Sequence, residues 1–255
     1  MSRALVLHQF PISHYCEKIR WVLEHKGLPY AVKNQVPGMH MLVNHRLVGR
    51  GSVPVLVDGG HAIGESSDIA LYLDDQYPQH NLVPRASVER AEVLSLEAYF
   101  DEHAGPAVRR YVYGYVLRDV GLFRRVFGNG YGAASRAALA LVSLPVSKQI
   151  RKMYKVSAAG NEEALVTIER VIERLEQLTG GDPDRYLVGD TLTLADVTAA
   201  SLLGPLLAPP ESPWAFDLPI PELTAQRDAL RTRAAGRWVM RRYQSDRRRV
   251  EADAR

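Results

Sequence analysis

The first third of the chain alternates short apolar runs with stretches of helical spacing. Residues 4–7 form an apolar run that ends before Pro11, which predicts a buried strand followed by a turn. A helical pattern follows over 16–26, and Gly27 is placed to end that helix. A second strand is predicted at 30–32. The chain therefore begins with a strand-helix-strand unit of parallel type.

The next part of the pattern predicts a hairpin and another helix. Residues 53–57 read as a strand, 58–60 as a turn and 61–63 as the return strand. Pro54 cannot donate to a sheet ladder, and its place near the strand start leaves open either a simple edge start or a cis peptide bond. Apolar spacing over 69–73 then predicts a helix.

Beyond Pro84 the hydrophobic spacing is helical, which predicts an all-α second domain. The predicted domains are 1–78 and 87–255, joined by a linker at 79–86. The helical segments are predicted at 88–99, 108–116, 164–175, 197–207 and 223–243. Thr193 and Asp196 have the spacing of a helix cap, which indicates a structural role for that pair.

The amino-acid composition limits the class of protein but does not indicate a function. The 255 residues are 46% hydrophobic, which is enough for a substantial core. The net charge of +3 is a small excess of 32 basic over 29 acidic residues, so no nucleic-acid partner is predicted. A basic cluster near the C-terminus is interpreted as a solvated helix face, since no aromatic stacking series accompanies it. Its members are Arg237, Arg241, Arg242, Arg247, Arg248 and Arg249.

The number of cysteines and the lengths of the apolar segments indicate the cellular compartment. Cys16 is the single cysteine, which excludes an internal disulfide framework and a cysteine-based zinc cluster. No histidine pair has the helical spacing of a metal site, so no metal is predicted. The apolar segment 133–146 is too short to span a bilayer. We expect a soluble, cytoplasmic protein without membrane contacts.

Two helix starts carry the candidate chemistry. Ser13 and Cys16 lie where a strand leads into a helix, and the free N–H groups and dipole of that helix end favour an anionic sulfur or oxygen. At the second start, Ser66 is suited to a carboxylate and Glu65 to an ammonium group. The alternative in both cases is an ordinary N-cap, for which serine is a preferred residue.

Four segments, in order along the chain, resemble the glutathione transferase family. They are 10–20 (active-site loop and first helix), 52–56 (cis-proline strand), 64–67 (γ-glutamyl-binding turn) and 186–196 (a helix start in the C-terminal domain). The resemblance implies an α/β thioredoxin-like N-terminal domain, an all-α C-terminal domain, a homodimer and a role in detoxification. Residues 121–156 exceed the family core and are interpreted as an insertion that shapes or covers a pocket.

The resemblance also implies how glutathione is bound. Ser13 occupies the position that holds the glutathione thiol in serine-type members. The remaining contacts are implied for His40 (glycyl carboxylate), Val53 and Pro54 in cis (cysteinyl part), and Glu65 and Ser66 (γ-glutamyl group). Cys16 matches the second cysteine of a C-x-x-C pattern, but with Ser13 in the first place an intramolecular disulfide is impossible.

The leading hypothesis is a glutathione transferase in which Ser13 stabilises the thiolate that attacks a small hydrophobic electrophile. One hydrogen bond to a charged group contributes about 1.5 to 3 kcal/mol, which corresponds to one to two pKa units. Phe10, Tyr111, Tyr113 and Tyr115 are candidates for the second-substrate pocket, although an aromatic stripe on a helix is typical of a core or an interface.

Two other functions stay open at this point. One is a glutathione-dependent thiol oxidoreductase or deglutathionylase that uses Cys16 as a single reactive thiol. The other is a noncatalytic, glutathione-transferase-like binding protein that keeps the fold alone.

Overall fold

The first layer of the structure is a four-stranded sheet. The structure is a computed structural model and describes residues 4–247. The strands are β1 (Leu5–Gln9), β2 (Tyr30–Asn34), β3 (Val55–Asp58) and β4 (His61–Gly64), in the order β2-β1-β3-β4. β1 pairs parallel with β2 and antiparallel with β3, and β3 and β4 form the predicted hairpin. The strand β3 begins after Pro54, because proline has no N–H to donate to the ladder.

Three helices belong to the sheet layer. They are α1 (His14–His25), α2 (His40–Val48) and α3 (Ser66–Gln76). The helix α1 buries Ile19, Trp21 and Leu23 completely and contacts both α3 and the helical part of the chain. The mixed sheet with these helices confirms the predicted α/β N-terminal architecture.

The rest of the described chain is helical. Its helices are α4 (Ser87–Val116), α5 (Val120–Phe127), α6 (Ala133–Met153), α7 (Ala158–Thr179), α8 (Leu194–Leu207), α9 (Pro221–Thr232) and α10 (Ala234–Asp246). None of the helices within 4–247 is both long and apolar enough to cross a bilayer. No helix or strand lies between Gln76 and Ser87. The domain division predicted at 79–86 falls in this stretch and stays a proposal.

Two predicted helix boundaries are wrong. The segments 88–99 and 108–116 belong to one helix, α4, which continues through Pro106. The predicted helix 223–243 is two helices, because Arg233 is extended (φ −73°, ψ 157°). The apolar spacing continues across this break since both helices bury one face, so periodicity alone does not reveal it.

The helix α8 forms the centre of the helical part. All 14 of its residues are buried, and α4 packs along it. Thr193 and Asp196 form the predicted capping box, and the Asp196 carboxylate also accepts from the Leu187 backbone N–H at 2.8 Å. The capping pair therefore has the structural role that its spacing predicts.

The basic C-terminal cluster is not a solvated face throughout. Arg247 is buried and pairs with Glu17 on α1, with Nε 2.7 Å from the carboxylate. Arg242 is also buried and lies 3.0 Å from Asp246. The prediction is wrong for these two residues because α10 packs against the core rather than lying free. Arg248 and Arg249 lie outside the described residues.

A buried ion cluster joins α1 to α4. The Lys18 side chain is fully buried, and its Nζ lies 2.5 Å from Glu97 and 3.1 Å from Asp101. It also donates to the Ser67 hydroxyl at the start of α3, at 3.1 Å. One ammonium group thus holds together two helices of the sheet layer and the long helix of the helical part.

Replacing Lys18 by methionine is expected to destabilise the protein by about 3 to 5 kcal/mol, because Glu97 would stay buried without its counter-charge. Urea unfolding measures this loss. Arg118→Gln is the matched control, since Arg118 and Glu222 form an ion pair in which both side chains are more than half exposed. The control is expected to change stability by less than about 1 kcal/mol. Equal unfolding midpoints for the two variants would contradict the role of the cluster.

Candidate active site

A cavity of about 340 Å³ lies between the sheet layer and the helical part. One wall consists of the loop before α1, the start of α2 and residues 51–53. The opposite wall comes from α4 and α6. Five of the residues predicted from the sequence line this cavity: Phe10, Ser13, His40, Val53 and Tyr113.

Ser13 is both the N-cap of α1 and a wall of the cavity. Its backbone is extended, and its Oγ accepts a hydrogen bond from the Cys16 backbone N–H at 3.3 Å. A hydroxyl that accepts in this way keeps its own proton for donation. The capping and the ligand-binding interpretations of Ser13 are therefore compatible, because they use different atoms of one hydroxyl group.

The loop that carries Ser13 is fixed from two sides. Trp214, from the helical part, donates from Nε1 to the Ile12 carbonyl at 2.8 Å. Arg20, on α1, donates from Nη2 to the Pro11 carbonyl at 3.0 Å. Trp214 is buried and itself lines the cavity. The position of the Ser13 hydroxyl thus depends on both parts of the chain.

The Val53–Pro54 peptide bond is cis, the second of the two options that the sequence leaves open. Pro54 is buried and does not line the cavity, while Val53 is half-buried and lines it. The β1–β3 ladder begins at Val55, so the Val53 backbone lies outside that ladder. Its N–H and C=O are placed for a ligand chain that lies along this edge.

Glu65 and Ser66 do not line the cavity but lie beside it at the start of α3. Glu65 has a φ of 61°, a left-handed conformation that is unusual for a residue with a side chain. Its exposed carboxylate pairs with Arg50 at 3.1 Å and accepts from Ser52, a residue of the cavity wall. No side chain caps α3, so its first N–H groups keep their capacity to bind an anion.

Ser66 differs from the sequence expectation in one respect. Its side chain is buried, and the hydroxyl lies 3.4 Å from both Lys18 Nζ and Asp101 Oδ1. The hydroxyl is therefore part of the buried ion cluster. What Ser66 offers to a ligand is its backbone N–H at the helix end.

His40 is a neutral residue of the cavity wall. Its Nδ1 accepts from the Gly38 backbone N–H at 3.1 Å, and its ring lies 4.7 Å from the Phe10 ring, centroid to centroid. Burial lowers the pKa of His40 to about 4, although hydrogen bonding with backbone groups opposes the shift. At neutral pH the ring therefore carries no charge toward a ligand carboxylate.

Tyr111 and Tyr115, predicted as pocket residues, face away from the cavity. Their hydroxyls lie 2.9 Å apart, and that of Tyr111 also bonds to Gln226 on α9. Tyr113, between them on α4, lines the cavity instead. Residues two apart on a helix point in different directions. Tyr113 therefore lies on a different face of α4 from Tyr111 and Tyr115.

Arg109, which is not among the predicted site residues, lies one helical turn before Tyr113 and also lines the cavity. Its guanidinium carbon lies 4.1 Å from the ring centroid of Tyr154 and 5.6 Å from that of Tyr15. The Tyr15 ring fits against α4 because position 105 is glycine, where a Cβ would overlap the tyrosine hydroxyl. The spacing of 109, 112 and 113 on one helix face is the signal that could have identified Arg109.

The segment 121–156 folds into α5 and α6, and α6 provides part of the cavity wall. Val146, Ile150 and Met153 line it at helical spacing, together with Tyr154 just after the helix. Val146 also packs against the loop before α2, close to Gly38. The segment therefore shapes a pocket, as its length suggested.

Cys16 lies in the core below the loop. Its side chain is fully buried, and burial raises the pKa of its thiol. Among residues 4–247, no group of three or more His, Cys, Asp or Glu side chains is placed to hold a metal ion.

Comparison with known proteins identifies the family. Family profiles for the N-terminal and C-terminal domains of glutathione S-transferase match residues 7–81 and 158–232, together more than half of the chain. A glutathione S-transferase from Triticum aestivum is 25% identical over 199 residues, which cover 76% of this chain and 75% of that protein. The chain belongs to the glutathione S-transferase family.

Solved structures show the same fold. The beta-etherase LigF from Sphingobium sp. strain SYK-6 has a TM-score of 0.62 at 21% identity, covering 92% of this chain and 98% of that chain. A glutathione S-transferase from Methylobacillus flagellatus with glutathione bound has a TM-score of 0.56 at 21% identity, with the same coverage. Both share the sheet layer and the helical part in one arrangement.

Acid is expected to destabilise the folded protein through His14. This residue is buried, with Nε2 3.2 Å from the Gly105 carbonyl. Burial and the nearby charge of Arg109 lower the pKa of His14 to about 3. Below pH about 6.5 the unfolded chain takes up a proton that the folded protein does not, so stability falls as the pH falls.

The measurement is the free energy of unfolding of the protein and of His14→Gln between pH 7 and 4.5. Glutamine keeps an N–H donor but does not titrate. The free energy of unfolding is therefore expected to fall less in the variant than in the unmodified protein over this pH range, by up to about 2 kcal/mol. Other titrating groups are common to both proteins and cancel in the difference. An identical pH dependence would show that His14 does not titrate in this way.

Proposed function

We propose that this chain is a glutathione transferase that activates the glutathione thiol for attack on a small hydrophobic electrophile. The observation that supports this most strongly is the position of Ser13 at the start of α1, with its hydroxyl on a cavity whose opposite wall is largely apolar. A polar group at one end of an apolar cavity is the arrangement that such a reaction needs.

In this proposal Ser13 stabilises the thiolate and is not itself a nucleophile. Its Oγ accepts from the Cys16 N–H, so its proton is donated to the glutathione sulfur. The free N–H groups and the dipole of the 12-residue α1 act in the same direction. Together they lower the pKa of the bound thiol, so that more thiolate is present at neutral pH.

The rest of glutathione is proposed to lie along the edge beside Ser13. The Val53 backbone binds the cysteinyl part, with Pro54 in cis supporting that edge. The γ-glutamyl carboxylate binds at the backbone N–H of Ser66, and its ammonium group binds Glu65, which is held now by an exposed and therefore weak ion pair. His40 offers a neutral ring near the glycyl carboxylate.

The electrophile is proposed to occupy the part of the cavity between Phe10 and α4. Of the three tyrosines predicted for this pocket, Tyr113 lines the cavity, whereas Tyr111 and Tyr115 do not. Homodimeric assembly and a detoxification role are implied by the family resemblance, and a cytoplasmic location is expected from the cysteine and apolar content; all three stay predictions.

The alternative that uses Cys16 as a redox thiol has less support. A buried thiol with a raised pKa is a poor nucleophile, and Ser13 provides no partner for an intramolecular disulfide. A noncatalytic role would require that glutathione is bound without turnover or is not bound at all. Calorimetric titration with glutathione, followed by an assay with electrophiles, separates these cases.

Replacing Ser13 by alanine is expected to lower kcat/KM for conjugation of 1-chloro-2,4-dinitrobenzene at neutral pH by about 10- to 100-fold, because the thiolate loses one charge-assisted hydrogen bond. The loss is expected to narrow above pH about 9, where a glutathione thiol with an ordinary pKa ionises unaided. Ser13→Thr, which keeps the hydroxyl, is expected to retain more activity than the alanine variant.

Cys16→Ala is the matched control, since it alters the same turn without touching the cavity wall. Conjugation is expected to continue in this variant. Unchanged rates in Ser13→Ala at all pH values would contradict the proposed role of Ser13. Loss of all activity in a folded Cys16→Ala protein would favour the redox alternative.

A further inference from the structure

Arg109 lies on the wall of the cavity and has no counter-charge among the residues that the structure describes. Among the described residues 4–247, no carboxylate lies within ion-pair distance of its guanidinium, and its buried Nε has no hydrogen-bond partner. The neighbouring Arg110 shows the contrast, because it pairs with Glu163 at 3.3 Å on the surface. Arg109 is half-buried and its Nε is shielded from water, and a buried donor is normally paired, so an unpaired one requires an explanation.

Aromatic rings hold the guanidinium in place. It lies 4.1 Å from the Tyr154 centroid and 5.6 Å from the Tyr15 centroid. Stacking uses the face of a guanidinium group and leaves its N–H edges available for hydrogen bonds. The Tyr15 ring is itself fixed, because its hydroxyl donates to the Asp101 carbonyl at 3.1 Å.

The residues of α4 and α6 that line the cavity with Arg109 are mainly apolar, with Gln149 and Tyr113 as the polar exceptions. Val112, Val146, Ile150 and Met153 line the same cavity. In such surroundings a cation interacts strongly with an anion that enters. A planar guanidinium with free edges matches a carboxylate, to which it can donate two parallel hydrogen bonds.

We propose that Arg109 determines the substrate class of this protein, by binding a carboxylate on the electrophile. This inference rests on the proposed glutathione transferase function. The preferred second substrate is then an amphipathic acid, with its apolar part along α6, its carboxylate at Arg109 and its reactive carbon toward the thiolate at Ser13. Arg109 acts as a specificity-determining residue and takes no part in the bond changes.

A matched pair of electrophiles tests this proposal. The compounds are 4-chloro-3-nitrobenzoate and 4-chloro-3-nitrobenzamide, which have similar shape and differ in charge. In both, the thiolate sulfur attacks the ring carbon that bears chlorine, a C–S bond forms, and chloride leaves with its electron pair. The thiol proton passes to water, and the carboxylate or amide is unchanged.

Arg109→Gln is expected to lower kcat/KM for the benzoate by about 10- to 100-fold and for the benzamide by less than about 3-fold. Each compound is compared with itself across proteins, so its intrinsic reactivity cancels. Arg109→Lys keeps the charge but loses the planar guanidinium group. Its kcat/KM for the benzoate is expected to lie between the values for the unmodified protein and for Arg109→Gln. Arg110→Gln removes the same charge from the next position and is expected to leave both rates unchanged.

A binding measurement separates this inference from the proposed function. Calorimetry with the two S-conjugates of glutathione, one with a carboxylate and one with an amide on the ring, needs no turnover. The protein is expected to bind the carboxylate conjugate about tenfold more tightly, and Arg109→Gln is expected to abolish that preference. Affinity for glutathione itself is expected to stay the same in the variant.

Three results would overturn the inference. Equal loss with both electrophiles would mean that Arg109 acts on the thiolate or on the fold. Weaker binding of glutathione alone would mean that Arg109 binds the peptide. No preference for the carboxylate conjugate in the unmodified protein would mean that the cavity selects no anion. Absence of turnover with both electrophiles, with the carboxylate preference intact, would instead contradict the proposed function alone.

Discussion

The fixed geometry of the loop over residues 10–13 is the constraint on which the rest of the site depends. Two backbone carbonyls of that loop accept from Trp214 and Arg20, which belong to different parts of the chain. The loop therefore has its working geometry only when the helical part is packed against the sheet layer. Ser13, at the start of α1, thus lines a cavity whose walls come from both parts of the chain.

Buried charges hold the two parts together. Lys18 joins α1 to Glu97 and Asp101 on α4, and Arg247 joins the end of α10 to Glu17 on α1. Such pairs gain little net stability over apolar packing but make a wrong arrangement costly, since any shift leaves a buried charge unpaired. In this protein they fix the relation between the wall that carries Ser13 and the wall that carries Arg109.

The sheet layer could be predicted because its elements follow from residues close together in sequence. Much of the site could not be predicted, because it depends on contacts between residues far apart in sequence. The strand-helix units, the hairpin and the Thr193 cap each follow from residues close together in sequence. Trp214 could not be linked to Ile12, because a contact across 202 positions leaves no periodic trace. Residue type alone predicts a pocket role for Tyr111 and Tyr115, whereas helix phase places Tyr113 and Arg109 on the cavity side of α4.

The most direct test of the account is a pH titration of the thiol of bound glutathione, followed by the ultraviolet difference absorbance of the thiolate. A cavity that presents the Ser13 hydroxyl and the α1 amides to sulfur predicts a thiol pKa about one to two units below the ordinary value of about 8.5. A bound thiol that titrates as it does in free solution would contradict it.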